Sequence, residues 1–307
     1  MKSIKTKFNY TIRLANKNDT LSIFKIWREC FINDLQCISN FINFCLPHTK
    51  TWVVIPENSS FAVAILSLLP SYTILDNQKI SGSYIYGVAT LPHYRGHSLS
   101  KKLIETAVSY CEDNEIQYIL IRPAESSLFD LYKKYSFETI ISKSITKINL
   151  DSKYFTEDSP FKSIENFSVD ELYSIREKEL FKTHFLWPLD ILNYTIEDAK
   201  SKGGSLFALR DNHNLNRTLF YIAYPEDSNV YNIKVVDCNI KEISELNQVI
   251  WNISSYFPFA NELTFESPPN GFEAVSYSLE RSALIKVLDK RINSQKLSLL
   301  HLALPME

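Results

Sequence analysis

Apolar and polar positions along the first 150 residues change period several times, and each change predicts an element. Phe8 to Leu14 alternates with period two and predicts a first strand. Asn18, Asp19 and Thr20 give an N-cap signal ahead of Leu21, Ile23, Phe24, Trp27 and Phe31, a stripe at helical spacing. Asn33 and Asp34 interrupt that stripe. Leu35, Ile38, Phe41, Ile42 and Cys45 then resume helical spacing and predict a second helix, ended by Pro47. Thr51 to Ile55 and Phe61 to Leu69 read as two strands about a polar turn at residues 56–60. Residues 69–79 are expected to connect them to a fourth strand, Ser83 to Thr90. Beyond it, Leu99, Leu103, Ile104, Ala107, Val108 and Cys111 form another helical stripe. Ile116 to Ile121 predicts a fifth strand and Glu138 to Leu150 a long sixth.

The pattern breaks between Asp151 and Phe161, which predicts a linker and divides the chain into residues 1–150 and 162–307. The second part repeats the order of the first. Helices are expected at Val169 to Leu180 and Ile191 to Ala199, and strands at Ser205 to Leu209, Leu219 to Tyr224 and Tyr231 to Val236. A helix from Ile240 to Tyr256 and a strand from Glu262 to Glu266 come next. Asn270-Gly271 predicts a turn into terminal strands or a helix within Ala274 to Val287. The order is that of a mixed α/β (α+β) sheet with helices on both faces, followed by a second unit of the same kind or by an unrelated α+β domain.

The chemistry concentrates where the fourth strand runs through Leu91 to Ser100 into a helix. Backbone N–H groups in the first turn of a helix have no intrahelical acceptor, and the helix dipole favours negative charge there, so the junction suits a pyrophosphate. Arg95 and His97 add side-chain donors. This segment resembles the acetyl-CoA-binding motif of the GNAT acyltransferase superfamily, a strand followed by an Arg/Gln-x-x-Gly-x-Gly/Ala loop. Ser98 and Ser100 stand where the motif has glycines, and Gly96 is kept. Leu131 to Phe137 is similar to the family's Leu-Tyr-x-x-x-Gly-Phe ending, with Ser136 in place of its glycine. Glu125 occupies the position of a common asparagine, and its Pro-Ala-Glu-Ser-Ser setting resembles the two-domain branches.

The resemblance covers roughly the first half of the chain, and it carries specific implications. The fourth strand is expected to carry a bulge and splay from the fifth. Val88, Ala89 and Thr90 would line the pantetheine arm of acetyl-CoA, and Arg95, Gly96, His97, Ser98, Leu99 and Ser100 would hold the pyrophosphate. A backbone N–H near Val88 or Ala89 would stabilise the developing oxyanion. Tyr132 aligns with the family's general acid, which would protonate the departing thiolate of CoA. The resemblance thus implies direct acetyl transfer to a primary amine of a small molecule or peptide. The second unit reads as a degenerate copy, since residues 235–242 contain neither an arginine nor a glycine. Two other readings stay open: a non-catalytic acyl-CoA-binding or interaction protein, motivated by the three serines, and an aminoacyl-tRNA-dependent transferase.

The general base is not evident. The fourth strand has no carboxylate or histidine, leaving Glu29, Asp34, Glu125 or a water chain. Tyr84 and Tyr86 share one face of the strand and are candidates for the acceptor pocket or for packing. Phe185 and Trp187, in an aromatic connection, fit domain packing better than substrate contact.

Composition narrows the partners. With 307 residues, 45% hydrophobic and 22% charged, the chain has ample material for a core. A net charge of -2 and scattered lysines offer no basic stripe for nucleic acid. No signal-peptide core or run of ~20 apolar residues is present, so a cytoplasmic location without membrane contact is expected. Five cysteines without a C-x-x-C pair read as reduced core thiols, and six histidines lack ligand spacing, so no metal is expected.

Overall fold

The computed structural model describes residues 8–31, 34–150, 161–212, 217–227, 229–272 and 275–303. In the first half the strands are β1 (Tyr10–Leu14), β2 (Lys50–Pro56), β3 (Ala64–Leu75), β4 (Gln78–Thr90), β5 (Tyr118–Ile121) and β6 (Thr139–Asn149). The helices are α1 (Thr20–Cys30), α2 (Leu35–Asn40), α3 (Leu99–Asp113) and α4 (Leu128–Lys133). The second half carries β7 (Phe161–Ser163), α5 (Val169–Ile175), α6 (Leu189–Ser201), β8 (Ser205–Asp211), β9 (Thr218–Glu226) and β10 (Asn229–Cys238). It ends with α7 (Ile243–Tyr256), β11 (Glu262–Ser267), β12 (Ser278–Val287) and α8 (Ser294–Ser298). The expected linker lies outside the described residues apart from Phe161, which opens β7.

Among the described residues twelve strands join one mixed sheet in the order β1-β2-β3-β4-β5-β12-β6-β11-β10-β9-β8-β7. The last strand of each half is exchanged. β12 lies antiparallel between β5 and β6, and β6 pairs in turn with β11 of the second half. Helices cover both faces. Trp27 of α1 packs on Tyr86, whereas Tyr110 of α3 packs on Trp52. Trp52 is paired with Leu66 and Tyr86 with Ser67, and adjacent residues of a strand point to opposite faces. Phe185, Trp187, Tyr194 and the C-terminal Leu297, Leu300 and Leu302 are buried in the core of the first half.

Local chemistry moves three expected boundaries. β3 continues to Leu75 and turns directly into β4 through Asp76 and Asn77, whose φ values of 50° and 63° suit a two-residue hairpin matching the strand twist. Pro70 does not break β3. Its neighbour in parity, Tyr72, turns its backbone away from β4 toward Leu186, and on that side β2 pairs only as far as Leu68. At the first helix, Asp19 of the expected signal holds the N-cap position of α1, but the side-chain capping is made one turn earlier, by Asn16 at the start of a short turn over Lys17–Asp19. Asp19 closes this capping box while its carboxylate accepts from the two terminal Arg13 nitrogens at 2.7 and 2.9 Å. The second helix runs on through a π turn at Phe41–Cys45 before Pro47 ends it in a short turn.

Two serines that replace motif glycines sit in left-handed backbone: Ser98 with φ 58° and Ser136 with φ 65°. Ser136 is the C′ residue of α4. Its N–H bonds Lys133 O at 2.9 Å, and Phe137 N–H bonds Tyr132 O at 3.3 Å, a Schellman closure. Phe137 packs edge-on to Tyr132 at 6.4 Å, so the motif fixes where Tyr132 points. A Cβ in this conformation costs about 1 kcal/mol relative to glycine. Ser136→Gly is therefore expected to raise the melting temperature by about 2 °C; a fall in a calorimetric scan would refute this account of the turn.

Candidate active site

β4 is shaped by one extra residue. β3 pairs Ile65 with Ala89 and Ser67 with Tyr86, so Leu66 faces both Gly87 and Val88. Gly87 has φ 62°, and a Cβ there would sit 3.1 Å from the indole of Trp27. On its other side β4 is parallel to β5 only over Gly82 to Ile85, and then leaves it. The bulge and the parting of the two strands open a cavity of about 680 Å³. Its walls include Trp27 of α1 and Phe31 just past its end, Tyr84 to Val88 of β4, and Leu128, Phe129 and Tyr132 of α4. β12 adds Glu280, Arg281 and Ser282.

Tyr132 is buried, and burial, aided by Tyr135, pushes its hydroxyl up to about 12, so the phenol stays protonated throughout the neutral range. Among the described residues its hydroxyl has no hydrogen-bond partner. Tyr84 and Tyr86 line the cavity with rings stacked at 6.0 Å. The Tyr86 hydroxyl is engaged by that of Tyr194 at 3.1 Å. Of the three carboxylates considered from sequence, Glu125 alone lines the cavity. Glu29 pairs with Lys25 at 3.8 Å, and Asp34 caps α2. Phe185 and Trp187 are buried; Phe185 packs on Tyr118 at 5.5 Å and Trp187 on Tyr84 at 5.9 Å, as core residues.

The loop residues lie beyond the end of β4 and outside the cavity wall. Ala89 and Thr90 pair with Ile65 and Ala64, while Val88 sits at the bulge with no register partner on β3. Arg95 comes after a turn over Pro92–Tyr94, and its Nε donates to Thr90 O at 3.2 Å. Gly96 has φ 83° with open space beside it, and the His97 ring lies 4.7 Å from Phe8. Ser98 makes no side-chain cap, and the bond from Lys102 N–H to Ser98 O at 3.1 Å is the first of α3. The N–H groups of Leu99, Ser100 and Lys101 therefore precede the helical ladder.

Beneath the cavity is a group that local patterns do not reveal. Glu266 of β11 accepts from Lys143 of β6, with Lys234 of β10 at 3.1 Å and Arg122 at 3.8 Å, all largely buried. These cations hold the Glu266 carboxyl at about 2 despite its burial. Arg122 and Lys143 also line the cavity. The four residues are remote in sequence and meet only through the exchanged strands.

Residues 11–140 match the family model of the acetyltransferase (GNAT) domain. The match covers 130 of the 307 residues, and what it describes lies in the first half of the chain. No curated protein matches the chain by sequence. Solved structures resemble nearly its whole length. One is a conserved protein of unknown function from Enterococcus faecalis V583, with TM-score 0.72, 12% identity, and coverage of 92% of this chain and 73% of that one. A GCN5-related N-acetyltransferase from Anabaena variabilis gives TM-score 0.69 at 14% identity, covering 91% and 73%. Eis1 from Mycobacterium abscessus gives 0.64 at 10% identity, covering 92% and 74%. At these identities the likeness is one of fold, and it extends through both halves. The region matched by the family model supplies the bulged strand and α4, whereas β12, from the second half, completes the cavity wall.

Proposed function

We propose that the protein is a CoA-dependent N-acetyltransferase that moves acetyl from acetyl-CoA to a primary amine of a small molecule or peptide, in one complex of both substrates. The observation that carries this reading is the bulged β4 edge, parted from β5, opening on a cavity that holds Tyr132 and lying next to the uncapped start of α3. The fit to acetyl-CoA is physical. Unladdered N–H groups at Leu99, Ser100 and Lys101, together with Arg95, suit a pyrophosphate, and the edge at Val88 to Thr90 suits an amide-bearing arm.

Each residue has its own share of the work. Val88 N–H donates to the thioester oxygen as negative charge builds on it. Glu125 takes the proton of the attacking amine, directly or through water. Tyr132 gives its proton to the sulfur as the carbon–sulfur bond breaks, leaving CoA as the thiol and the acceptor as an amide. Tyr132 is well suited to this because it is kept protonated by burial.

Isothermal titration of acetyl-CoA with Arg95→Ala as control tests the donor site. The variant is expected to weaken binding about tenfold or more, the loss of one charge-assisted contact to phosphate. Equal binding by both would remove Arg95 from the site. No binding by folded wild type would favour a non-catalytic role, to which left-handed Ser98 lends a reason, since its Cβ limits how closely the loop approaches an anion.

A further inference from the structure

β4 and β12 flank β5 on its two sides, and both run past its end. Ile121, the last residue of β5, pairs with Ile85 on one side and with Leu284 on the other. Three residues beyond that level stand Val88 on β4 and, because β12 is antiparallel to β5, Arg281 on β12. Each strand carries one extra residue there: Gly87 and Val88 share Leu66, and Ser282 falls between the pairs Arg281–Ser142 and Ala283–Ile141. The two backbones thus face each other across the place a longer β5 would fill, about 10 Å apart at two strand spacings. Successive residues of a regular strand alternate in face, and the bulge lets Glu280, Arg281 and Ser282 all reach the cavity.

The charged side chains of this cavity differ in how they are engaged. Arg122 and Lys143 gather on Glu266 at its floor. Glu280 lies opposite Lys143 in the β12–β6 register, and Glu125 belongs to the segment that leads into α4. Arg281 makes no ion pair or hydrogen bond among the described residues; its guanidinium lies over the ring of Phe129, 4.6 Å from the centroid. Phe129 is buried in α4 three residues before Tyr132, so the two share a helix face with about 5 to 6 Å between their Cβ atoms. A guanidinium on an aromatic face is held in place while the N–H groups along its edge stay open to a planar acceptor. That fork matches a carboxylate, with two parallel bonds.

We infer that the acceptor is an amino acid, a primary amine joined by a short carbon chain to a carboxylate, and that Arg281 is the specificity residue that takes the carboxylate. This rests on the acetyltransferase reading given above. With the thioester at Val88 and the attacking amine beside it, the far end of the acceptor extends across the gap between β4 and β12 to the level of Arg281. The Arg281 side chain covers part of that gap, so a chain of a few carbons completes it. The second half of the molecule, through β12, thus selects the substrate on which the first half acts.

The test measures acetyl-CoA-dependent release of CoA thiol with amines matched in length and different at the far end: β-alanine and 4-aminobutanoate, the neutral propylamine and butylamine, and the cationic 1,4-diaminobutane. Each carboxylate is expected to exceed its neutral counterpart by about tenfold or more in kcat/KM, the scale of one charge-assisted contact, and to do so through KM. The diamine should be the poorest. Arg281→Gln should collapse the preference for the carboxylate, and Arg281→Lys, which keeps the charge but not the fork, should retain part of it. Saturation-transfer NMR on the methylene protons of 4-aminobutanoate needs no turnover and separates the two readings. Binding that is lost in Arg281→Gln, without acetylation of any amine, overturns the acetyltransferase reading and supports the carboxylate site. Equal or better turnover of the neutral amines or the diamine overturns the carboxylate site and leaves acetyl transfer standing. A preference that survives in Arg281→Gln, or neither binding nor turnover of either amino acid, overturns the inference.

Discussion

Tyr132→Phe is expected to lower kcat about 100- to 1,000-fold, the usual worth of a general acid, while KM for acetyl-CoA stays nearly unchanged. The phenyl ring keeps the edge-on contact with Phe137 and the closure of α4, so the melting temperature should not fall. That separates loss of a proton donor from loss of packing. The pH profile gives a second check. Burial raises the Tyr132 hydroxyl to about 12, so its acid form persists and kcat should show no alkaline fall from this group below that range. If the variant retains wild-type kcat in a stopped-flow assay of thiol release, Tyr132 is not the acid of the proposed mechanism.

How Tyr132 comes to its position also shows which parts of the molecule are legible in the chain. The period-two and helical stripes place β1, β2, β5 and β6 and helices α1, α2 and α3 close to where they lie, because each depends on residues within one element. The order of the second half is visible for the same reason. β3 reads short in the sequence, ending at Leu69, because Pro70 has the character of a break. The two-residue turn beyond β3 depends on Asp76 and Asn77 both taking positive φ, a choice made by strand twist and not by hydropathy. The insertion of β12 between β5 and β6 leaves no local trace, since its pairing partners are more than 100 residues away. The cavity is therefore legible from one side only. Tyr84, Tyr86 and Tyr132 stand out in the sequence, whereas Arg122, Lys143, Trp27 and the β12 residues do not. Trp27 reads as part of an apolar stripe, which it is; its unmatched N–H emerges only when Gly87 is placed beside it.

Glu266→Leu is expected to destabilise the protein by about 3 to 5 kcal/mol, because removing one partner of a buried ion pair strips its cations of a neutralising charge. Lys143, Lys234 and Arg122 all converge on this carboxylate from separate elements, β6, β10 and the segment after β5. Those elements come from both halves, so the loss should show as one cooperative transition at lower temperature in calorimetry. Glu266→Gln keeps the shape but not the charge and should cost nearly as much. The same carboxyl sets an acid limit. Its folded value, about 2, lies below its ordinary 4.5, so its contribution is fully present above pH 4.5 and is lost as pH falls from there through about 2. Wild type should thus lose stability across that window, and Glu266→Leu should show a shallower fall there. An unchanged acid slope in the variant would mean that the exchanged strands are held by packing alone. Since Arg122 and Lys143 also line the cavity, the variant should disturb the cavity wall before it unfolds the chain, and under the proposed function KM for the amine should rise at temperatures where the fold persists. The charge that fastens the two halves together would then also hold the floor of the site.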